Sequence, residues 1–139
     1  MLRGVSSADL RTTVLGTPVR MPILVSPTGL HVLAHPEGER ATAHGAGEAG
    51  TLMALSTVVT PSLEEVAAVA AGHLWFQLYV YRGAREFAER LVRRAERTGY
   101  RAIVLTVDTP RFGNKELELR PGRNFPRTCI SRISRARTP

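Results

Sequence analysis

An α/β fold built on a parallel sheet is what this 139-residue sequence predicts, and three observations predict it. Short apolar runs alternate with helical segments, in the order β-α-β-α-β-α-β with connections of ordinary length. Two of the runs, Trp75-Phe76-Gln77-Leu78-Tyr79 and Leu105-Thr106-Val107-Asp108-Thr109-Pro110, end in side chains able to make specific hydrogen bonds. Buried parallel strands read as such runs, and their carboxyl ends are where a site opens. The two runs lie about thirty residues apart with a helical segment between them, which sets their polar ends side by side at one rim.

The elements follow in order. Met21 to Pro27 reads as a first buried strand, rich in branched residues and closed by Pro27. His35-Pro36-Glu37-Gly38-Glu39 opens a helix, with proline in its first turn and acids favoured by the helix dipole. That helix runs to Gly50 despite Gly45 and Gly47, which close packing would explain. Each glycine costs about 1 kcal/mol relative to alanine in a helix interior. Thr51 to Ser56 is the second strand. Ser62 and Glu65 have capping-box spacing at the head of a helix that continues to Gly72. Leu74 to Tyr79 is the third strand. The clearest helix spans Ala84 to Thr98, with Phe87, Leu91 and Ala95 on one face and charges elsewhere. Gly99 stops it, and Tyr100 to Thr106 is the fourth strand.

Two architectures share this pattern: a doubly wound open sheet and part of a (β/α)₈ barrel. No Gly-x-Gly-x-x-Gly follows the first strand, which weakens a dinucleotide-binding reading. Four strands make half a barrel, and a closed one takes about 250 residues. From Pro121 onward the periodicity disappears, and residues 121–139 read as an irregular, disordered basic tail behind a structured segment 1–120.

The charge is unevenly placed. Residues 1 to 110 carry eleven Arg against ten Asp or Glu, and residues 111 to 139 carry seven Arg and one Lys against two Glu. Most of the net +7 is therefore a property of the tail. A basic tail can bind nucleic acid or anionic lipid, but no aromatic residue interleaves with the arginines after Phe125, so a stacking platform for bases is not supported. A solvated end is the preferred reading. No apolar run approaches eighteen residues, the amino terminus lacks a secretory h-region, and Cys129 is the single cysteine. These features lead to the expectation of a cytoplasmic protein without a membrane span, internal disulfide or metal centre.

Residues 2 to 120 resemble the FMN-dependent α-hydroxy-acid oxidases and dehydrogenases. The resemblance is carried by Leu2-Arg3-Gly4-Val5, Asp9-Leu10-Arg11-Thr12-Thr13, Pro22-Ile23-Leu24-Val25-Ser26-Pro27-Thr28-Gly29 and Leu33-Ala34-His35-Pro36-Glu37-Gly38-Glu39. It continues in Leu55-Ser56-Thr57, in Trp75 to Tyr79, and from Thr106 through Gly113 to Glu116. Each is weak alone, and their shared order and spacing are strong. The family fold is a TIM barrel with FMN at the carboxyl ends of its strands, so the resemblance implies a partial barrel of about four strands.

The resemblance also implies roles. Pro27, Thr28 and Gly29 would border the flavin near its reactive edge, and Gly29 stands where many relatives have alanine. Ser56, Gln77 and Thr106 match positions that hydrogen-bond the isoalloxazine edge. Hydroxyls and carboxamides suit a ring that alternates carbonyl acceptors with an N–H donor. Without the family they read as ordinary polar strand ends. Tyr79 matches the tyrosine that contacts substrate; otherwise it is a half-buried aromatic. Asp108 matches the acid that orients the catalytic histidine, and by itself reads as a buried carboxylate, costly unless paired. Lys115 stands where the family generally has the arginine that helps bind the substrate carboxylate. It keeps the charge and loses the bidentate fork.

In the family a histidine removes the substrate proton, an arginine beside it grips the carboxylate, a lysine sits against the flavin, and Gly-rich loops hold the phosphate. The resemblance places all of these beyond Pro139. His31, His35, His44 and His73 read as structural or solvated rather than as that base. The abrupt change at Pro121 is what a frameshift, a premature stop or an incomplete gene model would produce. The implied function is oxidation of a small 2-hydroxy acid to the 2-oxo acid, with the isolated chain expected to be inactive. The alternative is a non-catalytic half-barrel remnant or interaction module that covers its apolar strand edges by self-association.

Overall fold

The computed structural model describes residues 7–108. Five strands and three helices succeed one another: β1 (Thr12–Val14), β2 (Thr17–Val19), α1 (Glu39–Glu48), β3 (Met53–Leu55), α2 (Leu63–Ala67), β4 (Leu74–Tyr79), α3 (Arg85–Arg97) and β5 (Ile103–Thr106). A single 3₁₀ turn, His31–Leu33, precedes α1. The strands β3, β4 and β5 form a parallel sheet in sequence order, with Leu55 beside Phe76 and Tyr79 beside Thr106.

The first strand expected from Met21 to Pro27 contracts to one rung. Val25 donates to Leu52 O at 3.0 Å and accepts from Ala54 N at 3.0 Å, forming an isolated parallel bridge to Met53. Pro22 and Pro27 carry no N–H and limit the ladder at both ends. The sheet is therefore three strands plus a bridge where four strands were expected. A hairpin absent from the sequence reading precedes it: β1 and β2 pair antiparallel across Leu15 and Gly16. Both central residues have positive φ, 45° and 74°, as two-residue hairpin turns require.

The helices begin and end where local chemistry dictates. The helix expected from His35 starts at Glu39 instead, because Gly38 at φ 54° and ψ −129° breaks the helical path. The turn of Pro36 and Glu37 lies outside it. Ser62 Oγ accepts from Glu65 N at 3.2 Å and Glu65 Oε2 accepts from Ser62 N at 2.7 Å, the reciprocal capping box. Helix α2 closes after Ala67, short of Gly72, with Ala70 N still donating to Val66 O at 3.1 Å. Helices α1 and α3 end alike, with Thr51 N reaching Ala46 O and Tyr100 N reaching Ala95 O, both at 3.0 Å. Gly47 earns its place by proximity: a Cβ there would collide with the backbone of Ala71 and Gly72, whereas Gly45 faces open space.

All three helices pack on one face of the sheet. Ala43 and Ala46 of α1, Leu63 and Val66 of α2, and Ala88, Leu91 and Ala95 of α3 bury Met53, Leu55, Leu74, Phe76 and Leu78. Tyr100 joins them, stacked edge-on against Phe76 and donating its hydroxyl to Leu63 O at 3.0 Å. The opposite face is smaller: Leu52, Ala54 and Trp75 pack with Val19 of the hairpin and with Leu24 and Val104. Sequence-ordered parallel strands with every helix on one side are the winding of a barrel, and a doubly wound sheet would place helices on both. No helix among the described residues is long and apolar enough to cross a membrane.

Helices α2 and α3 are tied by Arg94, whose Nε and Nη2 donate to Glu64 at 3.0 and 2.8 Å. That guanidinium pulls the Glu64 carboxyl from 4.5 down to about 2. The pair is partly exposed, so it contributes only about 0.5–1 kcal/mol. A carboxyl whose folded value lies below its unfolded one stabilises above the unfolded value, near 4.5, and loses that stabilisation as pH falls toward 2. Glu64→Gln is accordingly expected to lower the urea midpoint near neutral pH and to leave it unchanged near pH 2.

Gly29 makes the close approach that seats the loop after the Val25 rung, since a Cβ there would run into the Val58 carbonyl oxygen. Gly29→Ala is expected to cost about 1–3 kcal/mol in chemical denaturation, the usual range for overpacking. An unchanged midpoint would mean that the Val58 backbone yields freely.

Candidate functional site

The pleat of β4 decides what faces what. Leu74, Phe76 and Leu78 point to the helices, so Trp75, Gln77 and Tyr79 point to the other side. The same alternation sends Ser56 past the end of β3, and Thr106 at the end of β5, to that side. Three strand ends therefore deliver four of the predicted site residues to one rim.

They meet in a hydrogen-bonded network centred on Gln77, which is only 2% exposed. Gln77 Oε1 accepts from Thr57 N at 3.0 Å and from Ser56 Oγ at 3.3 Å. Gln77 Nε2 donates to Thr106 Oγ1 at 2.8 Å. Ser56 Oγ in turn accepts from Val58 N at 3.1 Å. These partners fix the carboxamide with its oxygen toward β3 and its nitrogen toward β5. Among the described residues, the second Nε2 proton of Gln77 and the Thr106 hydroxyl proton remain uncommitted. The network is uncharged. It can hold a planar, neutral heterocycle with carbonyl and N–H edges without imposing a charge on it.

The neighbouring residues frame this rim. Tyr79 is half-buried, and its ring centroid lies 6.1 Å from that of Tyr81, whose phenol is pushed up by burial first and by Tyr79 second. Pro27 and Thr28 are exposed, with Thr28 Oγ1 donating to Ser26 O at 3.4 Å, and Gly29 rests against Val58, directly after the Ser56–Thr57 pair. The loop and the network thus occupy the same end of the sheet.

Asp108 departs from expectation: it is exposed rather than buried. It lies two residues past the end of β5, where Val107 is already 80% exposed and no element among the described residues covers the chain. Lys115, like the whole tail 121–139, lies outside the described residues. The histidines have structural contacts or lie at the surface: His31 Nδ1 is 2.9 Å from Thr42 Oγ1, His35 Nδ1 accepts from Glu37 N at 3.3 Å, and the His44 ring reaches Val69 O at 3.3 Å. His73 is partly buried ahead of β4, its carbonyl accepting from Met53 N. Two residues were missed. Thr57 bonds Gln77 and Tyr79, and its hydroxyl at a strand's carboxyl end was the available signal. Glu39 is fully buried, one oxygen accepting from His31 N at 3.1 Å, and nothing in its helix-opening position marked it.

A groove of about 560 Å³ at the opposite end of the sheet is lined in part by Arg11, Arg20, Thr51 and His73. None of the rim residues borders it. No group of His, Cys, Asp and Glu among the described residues could hold a metal ion.

Comparison with known proteins agrees with this fold. The model of the FMN-dependent dehydrogenase family matches residues 1–138. Glycolate oxidase 1 of Zea mays is 53% identical over 120 residues, covering 86% of this chain and 32% of that protein. Glycolate oxidase of Spinacia oleracea is 51% identical over the same extent, again 86% and 32%. This chain therefore spans about a third of the length of these relatives. A solved mandelate oxidase with (S)-4-hydroxymandelic acid superposes with a TM-score of 0.86 at 38% identity, covering 94% of this chain and 36% of that one. A mandelate oxidase variant with an FMN adduct superposes at 0.85 and 38% identity, covering 94% and 39%. These neighbours are TIM-barrel oxidases, and the three-stranded parallel sheet with helices on one face is consistent with part of such a barrel. The cofactor of the family is FMN. The chain belongs to the FMN-dependent dehydrogenase family.

Proposed function

We propose that this chain supplies the flavin-edge and substrate contacts of an enzyme that oxidises a small 2-hydroxy acid to its 2-oxo acid. The observation that carries the reading is the convergence of Ser56, Gln77 and Thr106 in one network at the carboxyl ends of adjacent parallel strands. Its uncommitted N–H and O–H groups fit the carbonyl-rich pyrimidine edge of an isoalloxazine ring, and FMN supplies a two-electron acceptor when bound.

The residues then divide the work. Gln77 and Thr106 hold the ring edge, with Ser56 steadying Gln77 from the β3 side. Gly29, seated on Val58, brings the Pro27–Thr28 backbone to the same end, where it borders the ring. Tyr79 directs its phenol toward the substrate beside it. Asp108, exposed at the rim, orients a histidine that takes the α-proton, and Lys115 offers a cation to the carboxylate. Residues 1–139 thereby supply binding and orientation in that reaction.

A second reading has its own observation. Ile103 and Leu105 of β5 are 38% and 54% exposed although they lie on the helix-covered face, and β5 has no neighbour on its outer edge among the described residues. Such an edge favours a module that pairs with another chain or with itself.

Flavin titration with sedimentation separates the two. Saturable FMN uptake is expected, weakened about tenfold or more by Gln77→Leu, which removes the hydrogen bonds of a buried polar group. Absence of uptake together with concentration-dependent association would favour the module.

A further inference from the structure

We infer that Thr57 is a positioning residue that sets the two site residues of β4, Gln77 and Tyr79, through its own hydroxyl and N–H. The inference deepens the proposed function and rests on it for the roles of those two residues.

Hydrogen bonds along β4 alternate between its neighbours. Leu74 O accepts from Arg101 N and Phe76 N donates to Ala102 O, both toward β5, whereas His73 O accepts from Met53 N, toward β3. Odd-numbered peptide groups of β4 therefore face β3. The β3–β4 pairing stops at Leu55 and Phe76, so the next groups on that edge, Gln77 C=O and Tyr79 N–H, have no strand opposite them. Thr57 stands in. Its Oγ1 donates to Gln77 O at 2.5 Å and accepts from Tyr79 N at 3.3 Å, one hydroxyl doing what a peptide unit of a longer β3 would do.

The same residue sets the side chain. Thr57 N donates to Gln77 Oε1 at 3.0 Å, on the side where Ser56 Oγ also donates. Two donors on the oxygen hold the carboxamide in one of its two flip states, the state that turns Nε2 toward Thr106 and the rim. Thr57 is 6% exposed, so none of these groups can exchange readily with water in its place. Loss of the hydroxyl would leave a carbonyl and an N–H unsatisfied at the end of β4, a penalty of the size that reorders a local backbone. The end of β4 would loosen, and with it the orientation of Gln77 and the placement of the Tyr79 ring.

The test compares Thr57→Val, which keeps the shape and loses the hydroxyl, with Thr57→Ser, which keeps the hydroxyl. Amide hydrogen exchange is read at Tyr79 and at Phe76, whose N–H bonds Ala102 on the β5 side. FMN affinity and the position of the flavin absorption bands are read in parallel. Thr57→Val is expected to speed exchange at Tyr79 about tenfold while Phe76 stays protected, to weaken FMN binding about tenfold (~1.4 kcal/mol), and to shift the bands. Thr57→Ser is expected to restore all three. Unchanged Tyr79 exchange, or unchanged flavin binding and bands once that exchange has sped up, overturns the inference. Loss of protection at Phe76 together with Tyr79 overturns it too, because the hydroxyl would then be holding the whole sheet. If the unaltered chain takes up no FMN while Tyr79 responds as expected, the proposed function fails and Thr57's hold on β4 stands.

Discussion

Strand β4 is paired on both edges, to β3 and to β5, and most of the molecule follows from that placement. Because successive residues of a strand face opposite ways, its six positions divide strictly between two environments. Leu74, Phe76 and Leu78 enter the helix-facing core, where Phe76 is wholly buried. Trp75, Gln77 and Tyr79 line the other side and change in character along it, from an apolar ring to a buried amide to a half-buried phenol. Apolar packing thus holds the amino end of that face, and polar chemistry is left to the carboxyl end. A one-residue slip in register would bury Tyr79 among helices and expel Phe76, so the core and the rim cannot be altered independently.

What could be read from the sequence follows the strength of local signals. The bounds of β4 and α3 were legible because a continuous apolar run and a four-residue repeat leave little choice. The capping box at Ser62 and Glu65 was legible because two side chains at fixed spacing announce it. The hairpin at Thr12–Val19 was not, since Leu15 at the turn is a residue that seldom adopts positive φ, and nothing local marks it. The first strand is shorter than its sequence suggests: its branched residues match a strand, but its prolines permit one rung. Helix α1 starts later than the sequence suggests, because Pro36 and Glu37 suit a first turn as well as they suit the loop that precedes Gly38.

The site divides on the same line. Ser56, Gln77 and Thr106 were visible as polar residues closing apolar runs, and parallel register brings such ends together. Thr57 shows only a hydroxyl at a strand end; the part it plays depends on where β3 leaves its neighbour, a property of two strands and not of one stretch of chain. Asp108 shows the converse. A carboxylate following an apolar run reads as buried, yet burial needs cover, and the described residues give that end of β5 none.

The polarity of the rim is constrained as tightly as its geometry. A buried carboxylate at Gln77 would demand a compensating charge, and Ser56, Thr57 and Thr106 provide none. A hydrocarbon of similar size would leave Thr57 N and Thr106 Oγ1 with unmet groups. A carboxamide alone combines an acceptor for the β3 side with a donor for the β5 side, and it still has a proton to spare. That surplus is what separates a structural plug from a binding rim, since a side chain filling space needs no hydrogen-bonding capacity beyond its neighbours. FMN, the cofactor of the family to which this chain belongs, has an edge of the kind that could use it. On the proposed function, the network selects a neutral, planar, hydrogen-bonding edge, and discrimination among hydroxy acids falls to groups that face the substrate rather than to those that hold Gln77.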